Sequence, residues 1–177
     1  MTNSSEARFS ALYQASYADL VRFAQRRVEH SHAEDVAAET FLVAWRRLDD
    51  VPDDPLDARA WLFGVARHTL MNTRRGSDRR RALAVRLAAI TSGATDGDAD
   101  LVIQQVDLTT AWNQLSEIHQ EALALAVLDG LAAPQAAVVL GISPVAFRLR
   151  LSRARRALRA RLDHLPEPTP SLAERHS

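Results

Sequence analysis

The sequence predicts an all-α protein: two small helical domains joined by an acidic flexible linker, the C-terminal one a helix-turn-helix. Three observations carry this. Apolar residues on either side of the linker recur at helical spacing. Thr91 to Asp100, TSGATDGDAD, is small, acidic and rich in breakers. Gly130 to Arg161 reads as two helices meeting at a tight turn, the second carrying seven arginines and no acid from Ser143 onward. The expected boundaries are 1–90 for the N-terminal helical domain, 91–107 for the linker and 108–163 for the helix-turn-helix domain. Residues 164–177, rich in Pro and Glu, form a tail expected to be disordered.

The first helix is expected over Glu6 to Val28, with Phe9, Leu12, Tyr13, Tyr17, Leu20, Val21, Ala24 and Val28 on one face. Ser31-His32-Ala33-Glu34 has the pattern of a capping box opening the next helix, Ala33 to Leu48. His30, His32 and Glu34 lack a convincing third ligand, so no metal is expected. The second helix is apolar on two sides. Val36, Ala37, Thr40, Phe41, Ala44 and Leu48 form a stripe that suits packing on the first helix. Ala38, Leu42 and Trp45 form a second, rimmed by Asp35, Glu39, Arg46 and Asp49. That second strip can meet the domain's own third helix or another protein, and wheel geometry favours neither.

Val51 to Pro55 is expected as a loop, followed by a long helix from about Asp57 with Trp61, Leu62, Val65, Ala66, Thr69 and Leu70 inward. Its end is basic: Arg67, Arg74, Arg75, Arg79, Arg80, Arg81 and Arg86 against the single Asp78. Aromatic and polar groups ahead of an arginine run suit a nucleic acid, because phosphate attraction positions a strand and stacking holds its bases.

Beyond the linker, Leu108 to Leu115 and Glu117 to Leu128 are expected as supporting helices, the second ended by Asp129-Gly130. Pro134 can open the short helix that follows, Gly141 can end it, and Ile142 fills the turn. Ser143 caps the last helix and Pro144 starts it. Phe147, Leu151, Ala154, Leu158 and Leu162 then make one inward stripe. Val145, Arg148, Leu149, Ser152, Arg153 and Arg156 lie opposite, flanked by Arg150 and Arg155. A basic face of this kind fits the major groove; a solvent face would normally mix charge signs.

Composition agrees. Net charge is zero, yet residues 91–130 hold seven acids and no basic residue, while 131–165 hold seven arginines and one acid. Cysteine is absent, so disulfides and thiolate metal sites are impossible. There is no span-length apolar run, no signal pattern, no phosphate-binding Gly loop and no catalytic constellation. A cytoplasmic, non-enzymatic protein without cofactor is expected.

Three stretches, AEDVAAETFLVAW (33–45), RAWLFGVARHTLMNTRR (59–75) and GLAAPQAAVVLGISPVAFRLRLSRARRAL (130–158), together resemble the extracytoplasmic-function sigma factors of bacterial RNA polymerase. The resemblance covers about Phe9 to Leu162. It implies a transcription initiation factor whose two domains dock separately on polymerase core and together span a promoter. It implies polymerase binding at Asp35, Ala38, Glu39, Leu42 and Trp45, which would settle the role of the second strip. Trp61, Arg67, His68, Asn72, Arg74 and Arg75 would handle the melted downstream element as single strand. Val145, Arg148, Leu149, Arg150, Ser152, Arg153, Arg155 and Arg156 would read the double-stranded upstream element. An anti-sigma factor is a further implied partner. The chain departs from the family pattern at Ala38 (usually Gln), His68 (commonly Asn), Asn72 (usually Asp), Val145-Ala146 (usually Gly-Thr), Leu149 (commonly Ser) and Gln135-Ala136-Ala137 (Glu-Ile-Ala). The rival reading is a stand-alone helix-turn-helix regulator with an N-terminal dimerisation or sensor domain.

Overall fold

The computed structural model describes residues 2–76 and 107–163, with side chains from 4–72 and 107–163. The expectations for 77–106 and for the tail at 164–177 lie outside the described residues. Every regular element among the described residues is helical. They are α1 (Thr2–Gln25), α2 (His30–Arg46), a 3-10 turn (Leu48–Asp50), α3 (Pro55–Gly76), α4 (Glu117–Leu123), a π-helical turn (Ala124–Leu128), α5 (Ala133–Leu140) and α6 (Pro144–Leu162). Residues 107–113 are also helical and precede α4. No helix among the described residues is long and apolar enough to cross a membrane.

Three starts differ from their sequence expectation. The α1 helix begins at Thr2 instead of Glu6. The capping box of α2 does not form: the helix begins at His30, Glu29 is its N-cap, and no side chain caps it. Ser31 Oγ lies 3.3 Å from His32 Nδ1 instead. The short link from α1 draws the helix start back by a turn, carrying Ser31 inside it. For α3 the cap is Asp54, whose Oδ1 accepts from the amides of Leu56 at 2.9 Å and Asp57 at 3.0 Å. Pro55 then occupies the first position, where its missing N–H leaves nothing unpaired.

The helices α1, α2 and α3 pack mutually. The expected α2 stripe is inward: Val36, Ala37, Thr40, Phe41, Ala44 and Leu48 are all buried. Arg8 secures the α2–α3 connection by donating to the carbonyls of Leu48 at 2.9 Å and Val51 at 2.7 Å.

In the second half α6 packs on α4 and α5. The turn between α5 and α6 is built by Gly141, whose φ of 65° is left-handed. The Ile142 amide reaches back to the Ala137 carbonyl at 3.1 Å and the Gly141 amide to that of Val138 at 3.2 Å, the Schellman arrangement. Ile142 packs against the core, as the sequence suggests. A Cβ at Gly141 would meet nothing within 4 Å. Gly141→Ala is therefore expected to lower stability through backbone strain alone, by about 1–2 kcal/mol, read as a small fall in the urea midpoint with an unchanged m-value.

The two halves share one continuous core. It joins Leu20 and Phe23 of α1, Leu62 and Phe63 of α3, Leu125 of the π turn, Val139 of α5 and Phe147 of α6. Phe23 and Phe63 stack with centroids 4.4 Å apart, and α5 lies along α3. Neither phenylalanine belongs to the inward faces expected from periodicity.

Candidate functional site

The helix α6 is built to present one side. The Ser143 hydroxyl accepts from the Ala146 amide at 3.1 Å, and Pro144 follows the cap. Phe147 and Ala154 are fully buried, with Leu151 and Leu158 packed partly against the core. The stripe ends there; Leu162, expected inward, is exposed because the helix has outrun its neighbours. Near that end Arg161 Nε donates to the Gln114 carbonyl at 3.1 Å, tying α6 to the segment before α4. On the other side Val145 and Leu149 are 66% and 51% exposed, beside exposed Arg148, Ser152, Arg153, Arg155 and Arg156. Of the expected upstream set only Arg150 is half-buried. A helix with a packed back, two apolar residues in water and arginines around them can meet thymine methyls, guanine edges and phosphates together.

The second stripe of α2 is not covered by α3. Ala38 is exposed, as are Leu42 at 56% and Trp45 at 45%, with Asp35 and Glu39 beside them. Packing inside the chain therefore leaves this strip as surface. The structure adds residues that the sequence reading placed only in the core. Phe9, Tyr13 and Tyr17 of α1 join Glu34, Asp35, Ala38, Phe41, Leu42 and Trp45 to line an open groove of about 570 Å³. Phe9 meets Trp45 edge-on at 5.1 Å, and Tyr13 lies 4.7 Å from Phe41. Residues 9, 13 and 17 recur every four positions, so they share one side of α1. That spacing was the available signal.

The expected downstream set is not gathered as well. His68 and Asn72 are exposed on α3, with His68 Nδ1 2.9 Å from the Gly64 carbonyl. Trp61 is half-buried against the core, on the inward face where periodicity places it, and Arg67, which the resemblance assigns to the same set, is half-buried too. Trp61 packs against Leu48, Val51 and Ala58, while α5 lies along α3, a neighbour that periodicity does not reveal. Arg74 and Arg75 fall in its last turn, beyond the described side chains. No group of three or more His, Cys, Asp or Glu residues among the described residues is placed to hold a metal.

Residues 12–80 match Sigma-70 region 2, and residues 105–158 match Sigma-70 region 4. The first match takes in the α2 strip and α3, the second the helix-turn-helix. Over 161 residues the chain is 32% identical to the ECF RNA polymerase sigma factor SigL of Mycobacterium tuberculosis, covering 90% of this chain and 91% of that one. It belongs to the extracytoplasmic-function sigma factors. A second relative is the RNA polymerase sigma factor CnrH of Cupriavidus metallidurans, 31% identical over 77% of this chain and 76% of that one. CnrH solved in complex with the cytosolic domain of CnrY superimposes with a TM-score of 0.58, at 30% identity over 88% of this chain and 87% of that one. The sigma factor RpoE of Bartonella quintana, solved with the anti-sigma factor NepR, gives 0.54 at 26% identity, over 93% and 98% of the two chains. This sigma factor is thus similar to its relatives across both halves, and its helix-turn-helix is not an isolated module.

Proposed function

We propose that this sigma factor recruits polymerase core through the Ala38/Leu42/Trp45 strip and reads promoters through the outer face of α6. It is a transcription initiation factor that directs RNA polymerase to promoters, as its relatives are. The observation that carries the residue assignment is the pairing on α6 of exposed Val145 and Leu149 with fully buried Phe147 opposite. Apolar side chains held in water by a rigidly anchored helix suit thymine methyls. His68, exposed on α3 beside Asn72, is the group assigned to an unpaired downstream base, since an imidazole can stack on it. An anti-sigma factor is a third partner, because a similar sigma factor is known in such a complex. The protein works in the cytoplasm by binding and carries out no reaction of its own.

The test separates reading from holding. Arg153→Ala is expected to relax preference at one upstream position, by roughly 1–3 kcal/mol there, while Arg155→Ala weakens all sequences alike and lowers the salt slope by about one. Both are measured with holoenzyme on a promoter library randomised across the upstream element. Base preferences that match the parent in both variants would remove α6 from sequence reading. A stand-alone regulator would instead bind a palindromic site tightly without polymerase; relatives matched over nine-tenths of their length do not favour it.

A further inference from the structure

The outer face of α6 alternates two kinds of group. Val145 and Leu149 are exposed and four residues apart, so they share one side of the helix. Arg148 stands three residues from Val145 and Arg153 four from Leu149, both exposed on that same side. Along the helix the order is apolar, cationic, apolar, cationic. The back of the helix is fixed. Phe147 and Ala154 have no exposed surface, and the Ser143 hydroxyl holds the first turn by accepting from the Ala146 amide at 3.1 Å. The helix cannot roll to hide Val145 or Leu149 without exposing Phe147.

Single apolar residues on a surface are ordinary. This pair sits among seven arginines, with no acid between Ser143 and Leu162, so its occupant is apolar at the centre and anionic around it. In the major groove one group meets that description: the C5-methyl of a pyrimidine, lying between two rows of phosphates. A guanine edge beside it offers N7 and O6 to the fork of an arginine. A methylpyrimidine followed by guanine therefore matches Val145 with Arg148, and again Leu149 with Arg153. Thymine carries the methyl, and 5-methylcytosine carries it at the same place. An apolar side chain touches the methyl and makes no hydrogen bond to the neighbouring O4 or N4, so it does not separate the two bases.

We propose that α6 recognises methylpyrimidine–guanine steps, with thymine or 5-methylcytosine as the pyrimidine, and that Val145 and Leu149 each seat on one C5-methyl. The inference rests on the promoter reading of α6 given above and names the chemistry that this face selects. Helix geometry adds a spacing. Residues four apart are separated by about 6 Å along the axis, and stacked base pairs rise by about 3.4 Å each. The two methyls thus belong to different base pairs, no more than two apart, which lets two such steps follow one another.

The test uses holoenzyme on double-stranded promoter fragments carrying the upstream element that it selects from the randomised library. Each thymine of that element is replaced in turn by deoxyuridine, which lacks the methyl and is otherwise the same. Burying one methyl is worth about fourfold in affinity, so binding is expected to fall by that factor at two positions and to stay unchanged at the others. At either position a 5-methylcytosine·guanine pair should restore binding to within about twofold of thymine, and an unmethylated cytosine·guanine pair should not. Val145→Ala and Leu149→Ala alter exposed side chains, and circular dichroism should match the parent. Each should make one of the two positions indifferent to the methyl. A selected element with no methyl-sensitive position, sensitive positions more than two base pairs apart, 5-methylcytosine behaving as cytosine, or methyl effects that persist in both variants overturns the inference. Holoenzyme that forms but selects no upstream element counts instead against promoter reading by α6, on which the inference stands.

Discussion

Leu42→Arg is expected to abolish binding to polymerase core while the protein stays folded. The Leu42 side chain sits in the strip between Ala38 and Trp45, 56% exposed, and fills no part of the core. Replacing it costs the fold little, since surface changes away from special features stay within about 0.5 kcal/mol. At an interface the effect reverses. A guanidinium placed in an apolar contact must lose water without gaining a partner, and losing a central anchor costs about 2–4 kcal/mol, some 30- to 1000-fold in affinity. Circular dichroism and thermal melting report the fold, and co-elution or anisotropy with core polymerase reports the affinity. If both match the parent, the groove of Phe9, Tyr13, Leu42 and Trp45 does not bind polymerase. Tyr13→Ala offers a graded companion, because Tyr13 lines the same groove and is 41% exposed.

Phe147→Ala is expected to give the largest loss of stability of any substitution considered, with promoter reading lost alongside it. Phe147 has no exposed surface and belongs to the core that also holds Leu125 and Val139. Removing a buried phenylalanine costs about 3–5 kcal/mol, because the transfer energy is lost and a cavity remains. Its neighbours on the outer face, Val145 and Leu149, owe their direction to this anchor. Denaturant unfolding should show a fall of that size. Phe147→Leu, which keeps most of the volume, should recover most of the stability and the upstream preference. A loss within 1 kcal/mol for the alanine variant would mean that α6 is held by Arg161 and its Ser143 cap rather than by this ring.

The sequence by itself determined the helical class, the turn at Gly141, the cap at Ser143 and the two-faced character of α2. Each of these is a local property. A left-handed glycine, a hydroxyl three residues before an amide and apolar residues at helical spacing mark their own positions without reference to distant chain. The outward face of α6 was legible for the same reason, because its opposite stripe of Phe147, Leu151 and Ala154 is complete within one helix. Tertiary structure alone decided which further sides of α1 and α3 are covered. Phe23 and Arg27 lie off the expected stripe of α1, and Phe63 and Gly64 off that of α3. Phe23, Arg27 and Phe63 are buried, and Gly64 is closely approached by Val139, only because the second half of the chain arrives there. The carboxylates that allow Arg27 to be buried stand 94 and 102 residues away. No periodicity within a helix encodes such a partner. Arg67, which the resemblance assigns to the melted strand, is half-buried on the helix along which α5 lies. Packing left the Ala38/Leu42/Trp45 strip, which wheel geometry could equally have placed inside, as open surface.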